Sequence, residues 1–369
     1  MTKELARRLE NLRPSGIRKI FNLAQSMENA VDLSIGMTDF DVPVPIKQEA
    51  EYWMNRGLNQ YVTTQGLPEL REVIAEHLRE EGVHFEDVIV TSGVTGGFVL
   101  SLMALINPGD EVLIPDPRFV MYSFVVELLG GIPVFVDTYP DFRLTPERLV
   151  PHLTEKTKAL ILNNPNNPTG VVLTPEEIQA IAQLARDHDL FVIADEIYDK
   201  FVYDHLPLRS IARDYDRTIV LRGYAKSWGM SGWRIGYVAA SHEIVEYLKM
   251  LQHYTYVCAP PFLQKAAIVA EAFDGSEIIS RYQRKRDIIF NGLREFLTVE
   301  KPQGAFYIFP EAPDRNSTRL VERAIQRNLL MVPGNTFSEK DSHFRISFAA
   351  SEKNLEKGIE ILYDLVKNA

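Results

Sequence analysis

Apolar and polar residues change places along this chain in short blocks. Two apolar runs, TKALILN at 157–163 and LFVIADE at 190–196, end in turn-forming or acidic residues and predict buried strands. Between them, LTPEEIQAIAQLARDHD carries Ile178, Ile181, Ala182 and Ala185 at helical spacing. Its start is signalled by Thr174 as cap, Pro175 at the first helical position and Glu177 three residues after the cap. A strand, helix and strand in this order make the two strands parallel, because a helical crossover returns the chain to the edge where it began. The same grammar recurs at DVIVTS (87–92), EVLIP (111–115) and TIVLRG (218–223). The centre therefore reads as an α/β fold around a mostly parallel open sheet, with ligands expected beyond the carboxyl ends of its strands.

After about Cys258 the pattern changes. Amphipathic helical segments at 264–273, 282–296 and 354–367 surround short strand candidates in GAFYIFP and HFRISFA, which predicts a second, smaller α+β domain. The expected division is an N-terminal segment at 1–44 packing with the small domain, a large ligand-binding domain at 45–260 and the small domain at 261–369. The apolar stripe Ile359, Leu362 and Leu365 of the last helix reads as core.

Composition narrows the function. With 40 Lys+Arg against 50 Asp+Glu the formal charge of the 369 residues is −10, which disfavours a chain-wide basic surface for nucleic acid. Cys258 is the single cysteine, so no intrachain disulfide and no cysteine zinc cluster can form. The longest apolar stretch, 98–107, is broken by Ser101 and is too short for a membrane helix. The N-terminal run MTKELARRLENLRPSG lacks the apolar centre of a secretory signal, and a cytoplasmic location is expected. The eight histidines show no metal-ligand spacing, no metal site is expected, and G-x-S-x-G is absent. His188 and His253 fall in helical segments and read as structural.

Four polar features follow predicted parallel strands and so converge on one sheet edge. SGVTGG (92–97) joins a strand to an apolar helix; its small residues let backbone N–H groups approach an anion, and they serve a plain turn equally well. NNPNNPTG (163–170) presents Asn167 on a loop stiffened by two prolines, or is a turn only. Asp195 ends an apolar strand, where a carboxylate is costly to bury without a cation or a protonated ring nitrogen; Tyr198 lies three residues on. In GYAKSWGMSGWRIGY (223–237), Lys226 sits among Trp228, Met230 and Trp233, and Arg234 follows eight residues later. A partly desolvated lysine can lose its proton and form a Schiff base with a carbonyl, and an arginine suits bidentate anion binding.

Taken together, NNPNNPTG, ADEIYDKF, YAKSWGMSGWRIGY, NQYVTTQGLPELREVIAEHL, GAFYIFP and FRISFA resemble the class I/II aminotransferases, pyridoxal-phosphate (PLP) enzymes of fold type I. The resemblance runs in order from about Leu33 to Ala349. It implies that Lys226 bonds to the cofactor and later moves the substrate's proton, that Asp195 pairs with the pyridinium nitrogen, and that Asn167 and Tyr198 hydrogen-bond the ring hydroxyl oxygen. It further implies that Phe119 stacks on the ring and that Val94, Thr95, Arg234 and a partner subunit's Tyr61 hold the phosphate of a homodimeric enzyme. Arg345, with the backbone of Gly36 and with Asn167, is implied as the clamp for the substrate α-carboxylate.

Two departures stand out. The family usually places serine three residues before the lysine, where this chain has Gly223, and one aspartate-specific subgroup has lysine where Thr95 stands. Arg118, beside Phe119, is an unusual charge that reads as either a contact for an acidic substrate or a surface residue. The expected reaction is amino transfer between an L-amino acid, aromatic or large and apolar, and a 2-oxo acid such as 2-oxoglutarate. The alternatives are an aspartate-type aminotransferase, a PLP-dependent C–S β-lyase using the same carbanion-stabilising residues, and a non-catalytic ligand sensor. LSIGMTDF is reached by Phe40, which leaves no space before it for the winged-helix module such sensors carry.

Overall fold

The computed structural model describes residues 29–367 together with Ala6, Gly16, Ile20 and Met27. Seven strands form the main sheet: β2 (Asp87–Thr91), β3 (Glu111–Asp116), β4 (Ile132–Asp137), β5 (Thr157–Asn163), β6 (Phe191–Asp195), β7 (Thr218–Gly223) and β8 (Gly236–Ala240). Their spatial order is β2-β8-β7-β6-β5-β3-β4. Strand β8 is antiparallel to both neighbours, so β2 runs in the same direction as the other five and the sheet is mostly parallel, as expected. The antiparallel β8 and the edge strand β4 had no clear signal in the sequence.

Alternation along each strand divides the side chains between two helical layers. In β5, Ala159 and Ile161 join the cluster under helix Gly93–Leu105, whereas Leu160 and Leu162 join the one under helix Pro175–Asp187. That second helix starts as predicted: Thr174 and Glu177 form a reciprocal capping box, and Ile178, Ile181, Ala182 and Ala185 are buried.

The carboxyl-terminal part builds around a three-stranded antiparallel sheet of β9 (Tyr307–Ile308), β12 (Phe344–Ser347) and β11 (Val332–Pro333). A two-residue parallel pairing of β1 (Val31–Asp32) with β10 (Leu329–Leu330) ties the chain before residue 33 to this part. Helices Ser276–Leu293 and Glu352–Lys367 cover it, and Leu362 and Leu365 lie in its core. Helix Pro261–Glu271 instead buries Ala266, Ala267 and Ala270 with Ile46, Leu70 and Ile74, residues of the two helices that precede β2 in the chain, Val44–Asn55 and Pro68–Glu80.

Candidate active site

The pairings Thr91↔Gly236, Gly223↔Gly236, Asp195↔Leu221 and Asn163↔Asp195 bring the ends of β2, β7, β6 and β5 and the start of β8 to one edge. A cavity of about 650 Å³ opens there, lined by Gly36, Val94, Thr95, Phe119, Asn167, Asp195, Tyr198, Lys226, Arg234 and Arg345, residues that sequence reasoning had singled out over a span of more than three hundred positions.

Lys226 lies on the helical turn Tyr224–Ser227 immediately after β7, and its ammonium donates to the Gly36 carbonyl. Burial, with the Arg345 and Arg234 charges nearby, lowers its pKa to about 8. Asp195 closes β6 and is 3% exposed. Its Oδ2 accepts from the Tyr122 hydroxyl at 2.7 Å and its Oδ1 from the Ile197 N–H at 3.2 Å. Burial raises its pKa to about 6, against the pull of those hydrogen bonds. A carboxylate so placed is stabilised by a cationic or N–H partner entering from the cavity.

Asn167 is positioned by its own strand, because its N–H donates to Asn163 Oδ1 at 2.8 Å and Asn163 Nδ2 donates to the Asp195 carbonyl at 2.9 Å. Its Oδ1 accepts from Arg345 Nη1 at 3.0 Å, which turns its Nδ2 toward the Tyr198 hydroxyl at 3.4 Å. Arg345, on β12, is 1% exposed. Its guanidinium lies between the Tyr307 and Phe337 rings, 4.4 and 4.6 Å from their centroids, and Nη2 donates to the Ser34 carbonyl at 2.8 Å. Nε has no hydrogen-bond partner, and among the described residues no carboxylate pairs with this buried cation. An arginine left in that state calls for an anion from outside the chain.

At the other end of the cavity, Gly93 begins its helix with φ +67°, and a Cβ built on it would lie 2.8 Å from Arg234 Nη2, so the close approach of Arg234 to this helix start needs glycine. The N–H groups of the first helical turn have no partner within their helix, and with Arg234 they make an anion cradle beside Val94 and Thr95. Phe119 stands edge-on to Tyr122, ring centroids 5.8 Å apart.

Tyr61 is 81% exposed and does not line the cavity of its own chain. Gly223 is in extended backbone, where a Cβ would sit 3.0 Å from Gly236 Cα and 3.2 Å from the Ile235 carbonyl oxygen. A serine there would press on β8. Arg118 fits neither a substrate contact nor a surface residue. It pairs with Asp116 at 2.9 Å and Glu339 at 2.8 Å, its guanidinium lies 3.5 Å from the Phe135 ring centroid, and it does not line the cavity. Sequence reasoning missed Tyr122, Asn163 and Tyr307. The first lies one helical turn after Phe119, the second opens the asparagine-rich loop, and the third stands inside GAFYIFP.

A buried lysine of lowered pKa, a buried carboxylate and an anion cradle at the α/β sheet edge thus face an arginine of the smaller sheet that has no carboxylate partner among the described residues, a set suited to holding an anionic amine beside a nucleophile. Comparison with known proteins agrees. The chain belongs to the family Aminotransferase class I and II, whose profile matches residues 28–362, and it is an aminotransferase. It is similar to the aspartate aminotransferase of Pyrococcus abyssi, at 40% identity covering 96% of each chain. It is also similar to aromatic-amino-acid aminotransferase 2 of Thermococcus litoralis, at 38% identity and 98% of each chain. A solved mutant of Thermus thermophilus aspartate aminotransferase superposes with a TM-score of 0.94 at 32% identity, covering 99% of this chain and 100% of that one. Among the described residues no helix is long and apolar enough to cross a membrane.

Proposed function

We propose that the cavity holds PLP and that the enzyme exchanges amino groups between an aromatic or large apolar L-amino acid and a 2-oxo acid such as 2-oxoglutarate. The residues present fit this cofactor: a carbonyl-seeking lysine, a buried carboxylate for a ring nitrogen, and a helix start with Arg234 for a phosphate. When bound, PLP supplies a carbonyl that captures amines and a ring that takes up the electrons left at the substrate α-carbon. Asp195 keeps the ring nitrogen protonated, Asn167 and Tyr198 hold the ring oxygen, and Phe119 covers a ring face. Val94 and Thr95 N–H groups bind phosphate with Arg234, and Tyr61 reaches the same phosphate from the other subunit of a homodimer, a role that suits its exposure.

Lys226 is the acting base. In the free protein its pKa, lowered to about 8 by burial and by the Arg345 and Arg234 charges, makes the neutral amine far more accessible than on an exposed lysine. Its Nζ is the atom that would take the proton from the substrate α-carbon and give it back in the course of the transfer. Arg345, Asn167 and the Gly36 backbone hold the α-carboxylate, which aims the α-hydrogen at Nζ. The division at residues 44 and 260 remains part of this proposal: the apolar cluster of the carboxyl-terminal part supports a second unit, but that cluster also takes in Ile197, Tyr198, Phe201 and Tyr203, helix Pro261–Glu271 packs with the large part, and most of residues 1–28 lie outside the described residues.

One observation carries the substrate class. Among the described residues the cations lining the cavity are Lys226, Arg234 and Arg345, and each already has a task. The remaining wall includes Ile35, Met37, Val120, Met121 and Phe124, which favours an apolar side chain over a second carboxylate. The names of the relatives divide between aspartate and aromatic amino acids, so both belong in the test. Visible absorbance of the PLP-loaded protein is followed while amino acids are added singly. Bleaching of the carbonyl form by phenylalanine or tyrosine at far lower concentration than by aspartate is the expected result. The reverse order moves the assignment to the aspartate type, and pyruvate with ammonia from cystathionine, without amino transfer, overturns it.

A further inference from the structure

The geometry points to Tyr307 as a positioning residue that sets the direction of the hydrogen bonds around Tyr198 and holds Arg345 flat. This rests on the reading of Tyr198 as the residue that donates to the cofactor's ring oxygen. Tyr307 is 1% exposed, on β9. Its hydroxyl lies 3.0 Å from the Tyr198 hydroxyl, and its ring covers the Arg345 guanidinium at 4.4 Å. A Cβ built on Gly36 would meet the same hydroxyl at 2.5 Å, so the glycine that receives the Lys226 ammonium also makes space for this phenol.

Tyr198 Oη has one hydrogen and two lone pairs. One lone pair receives Asn167 Nδ2, whose orientation is fixed because Arg345 occupies Oδ1. If Tyr198 donated to Tyr307, no hydrogen would remain for an oxygen in the cavity. If Tyr307 donates to Tyr198, both lone pairs are filled and the hydrogen of Tyr198 is left to face the cavity. The second arrangement is favoured, because the Arg345 charge against the Tyr307 ring makes its hydroxyl the stronger donor. Burial raises both phenols, and the opposing pull of Arg345 is the chief counterweight at Tyr307 but the least of the influences on Tyr198.

Tyr307 thus polarises Tyr198 toward its ligand through an edge contact and steadies the carboxylate arginine through a face contact. Of the other charged or titratable groups lining the cavity, Tyr122, Asp195, Lys226 and Arg234, none hydrogen-bonds the Tyr307 hydroxyl, and Tyr122 lies near enough for the two phenols to interact through charge.

The test uses the PLP-loaded full chain and two variants, Tyr307→Phe and Tyr307→Leu. Donation to the ring oxygen draws charge from it, so the adjoining nitrogen holds its proton less firmly. Loss of the hydroxyl alone should therefore raise the pH midpoint of the visible band by about half a pH unit, the effect of weakening one hydrogen bond. Tyr307→Phe should leave KM for the amino acid within roughly twofold, whereas Tyr307→Leu, which also removes the ring from Arg345, should raise it about tenfold. An unmoved or lowered midpoint in Tyr307→Phe overturns the donor direction, and equal KM values in the two variants overturn the face contact. A wild-type protein that stays colourless with PLP removes the underlying reading instead, which separates the two failures.

Discussion

Replacing Arg345 with glutamine separates the service this residue gives the substrate from the service it gives the fold. In the free protein the guanidinium makes two hydrogen bonds, to Asn167 Oδ1 and the Ser34 carbonyl, and leaves Nε without a partner. At about 1 kcal/mol net each, those bonds set the loss of stability at about 2 kcal/mol, and release of a buried unpaired charge offsets part of it. Binding is more exposed to the change. A substrate carboxylate forms charge-assisted hydrogen bonds worth about 1.5–3 kcal/mol, so kcat/KM for an amino acid should fall roughly 10- to 150-fold. The control is the decarboxylated amine of the same side chain, which cannot use Arg345. Steady-state kinetics with both, beside thermal melts, should show a large loss for the amino acid, little change for the amine and a small fall in Tm. An equal loss for both substrates would refute the assignment of Arg345 to the carboxylate.

Lys226→Ala should melt close to wild type and still bind PLP, with turnover below detection in a coupled assay for the 2-oxo acid product. Two groups give opposite acid responses in the cofactor-free protein. Asp195 titrates near pH 6 when folded against 3.8 unfolded, so the native state takes up protons first and stability rises as pH falls from about 6 to about 4. His343, stacked on Phe309 and held neutral with a pKa lowered to about 4 by burial, does the reverse from 6.5 downward. Denaturant melts across pH 7 to 4 should therefore show a steeper acid loss in Asp195→Asn and a flatter one in His343→Phe. Each slope corresponds to up to about 3 kcal/mol, and matching slopes in the two variants would contradict the assignment. Gly223→Ser should lower Tm without tightening PLP binding, because its Cβ meets Gly236; a gain in affinity measured by fluorescence titration would count against that crowding.

What could be read from the sequence was local. β5, β6 and the helix between them are announced by apolar runs and a capping box, all signals within a few residues. Asn167, Asp195, Tyr198 and Lys226 could be assembled because parallel strands deliver their following residues to one edge. What escaped depends on distant partners. Tyr122 meets Asp195 across 73 positions, Tyr307 meets Tyr198 across 109, and Arg118 reaches Glu339 across 221. No periodicity encodes such a meeting. Strand β8 was obscured by its sequence, GYVAA, which is short, contains glycine and follows directly on the motif with Lys226.

The reversal of β8 has a consequence for how this enzyme can tolerate change. Because Gly223 and Gly236 face each other across two antiparallel strands, residues 224–235 form one closed excursion that carries both Lys226 and Arg234. The span between the covalent tether and the phosphate grip is thus gauged by a single loop pinned at both feet. One extra residue inside this excursion would shift one anchor relative to the other.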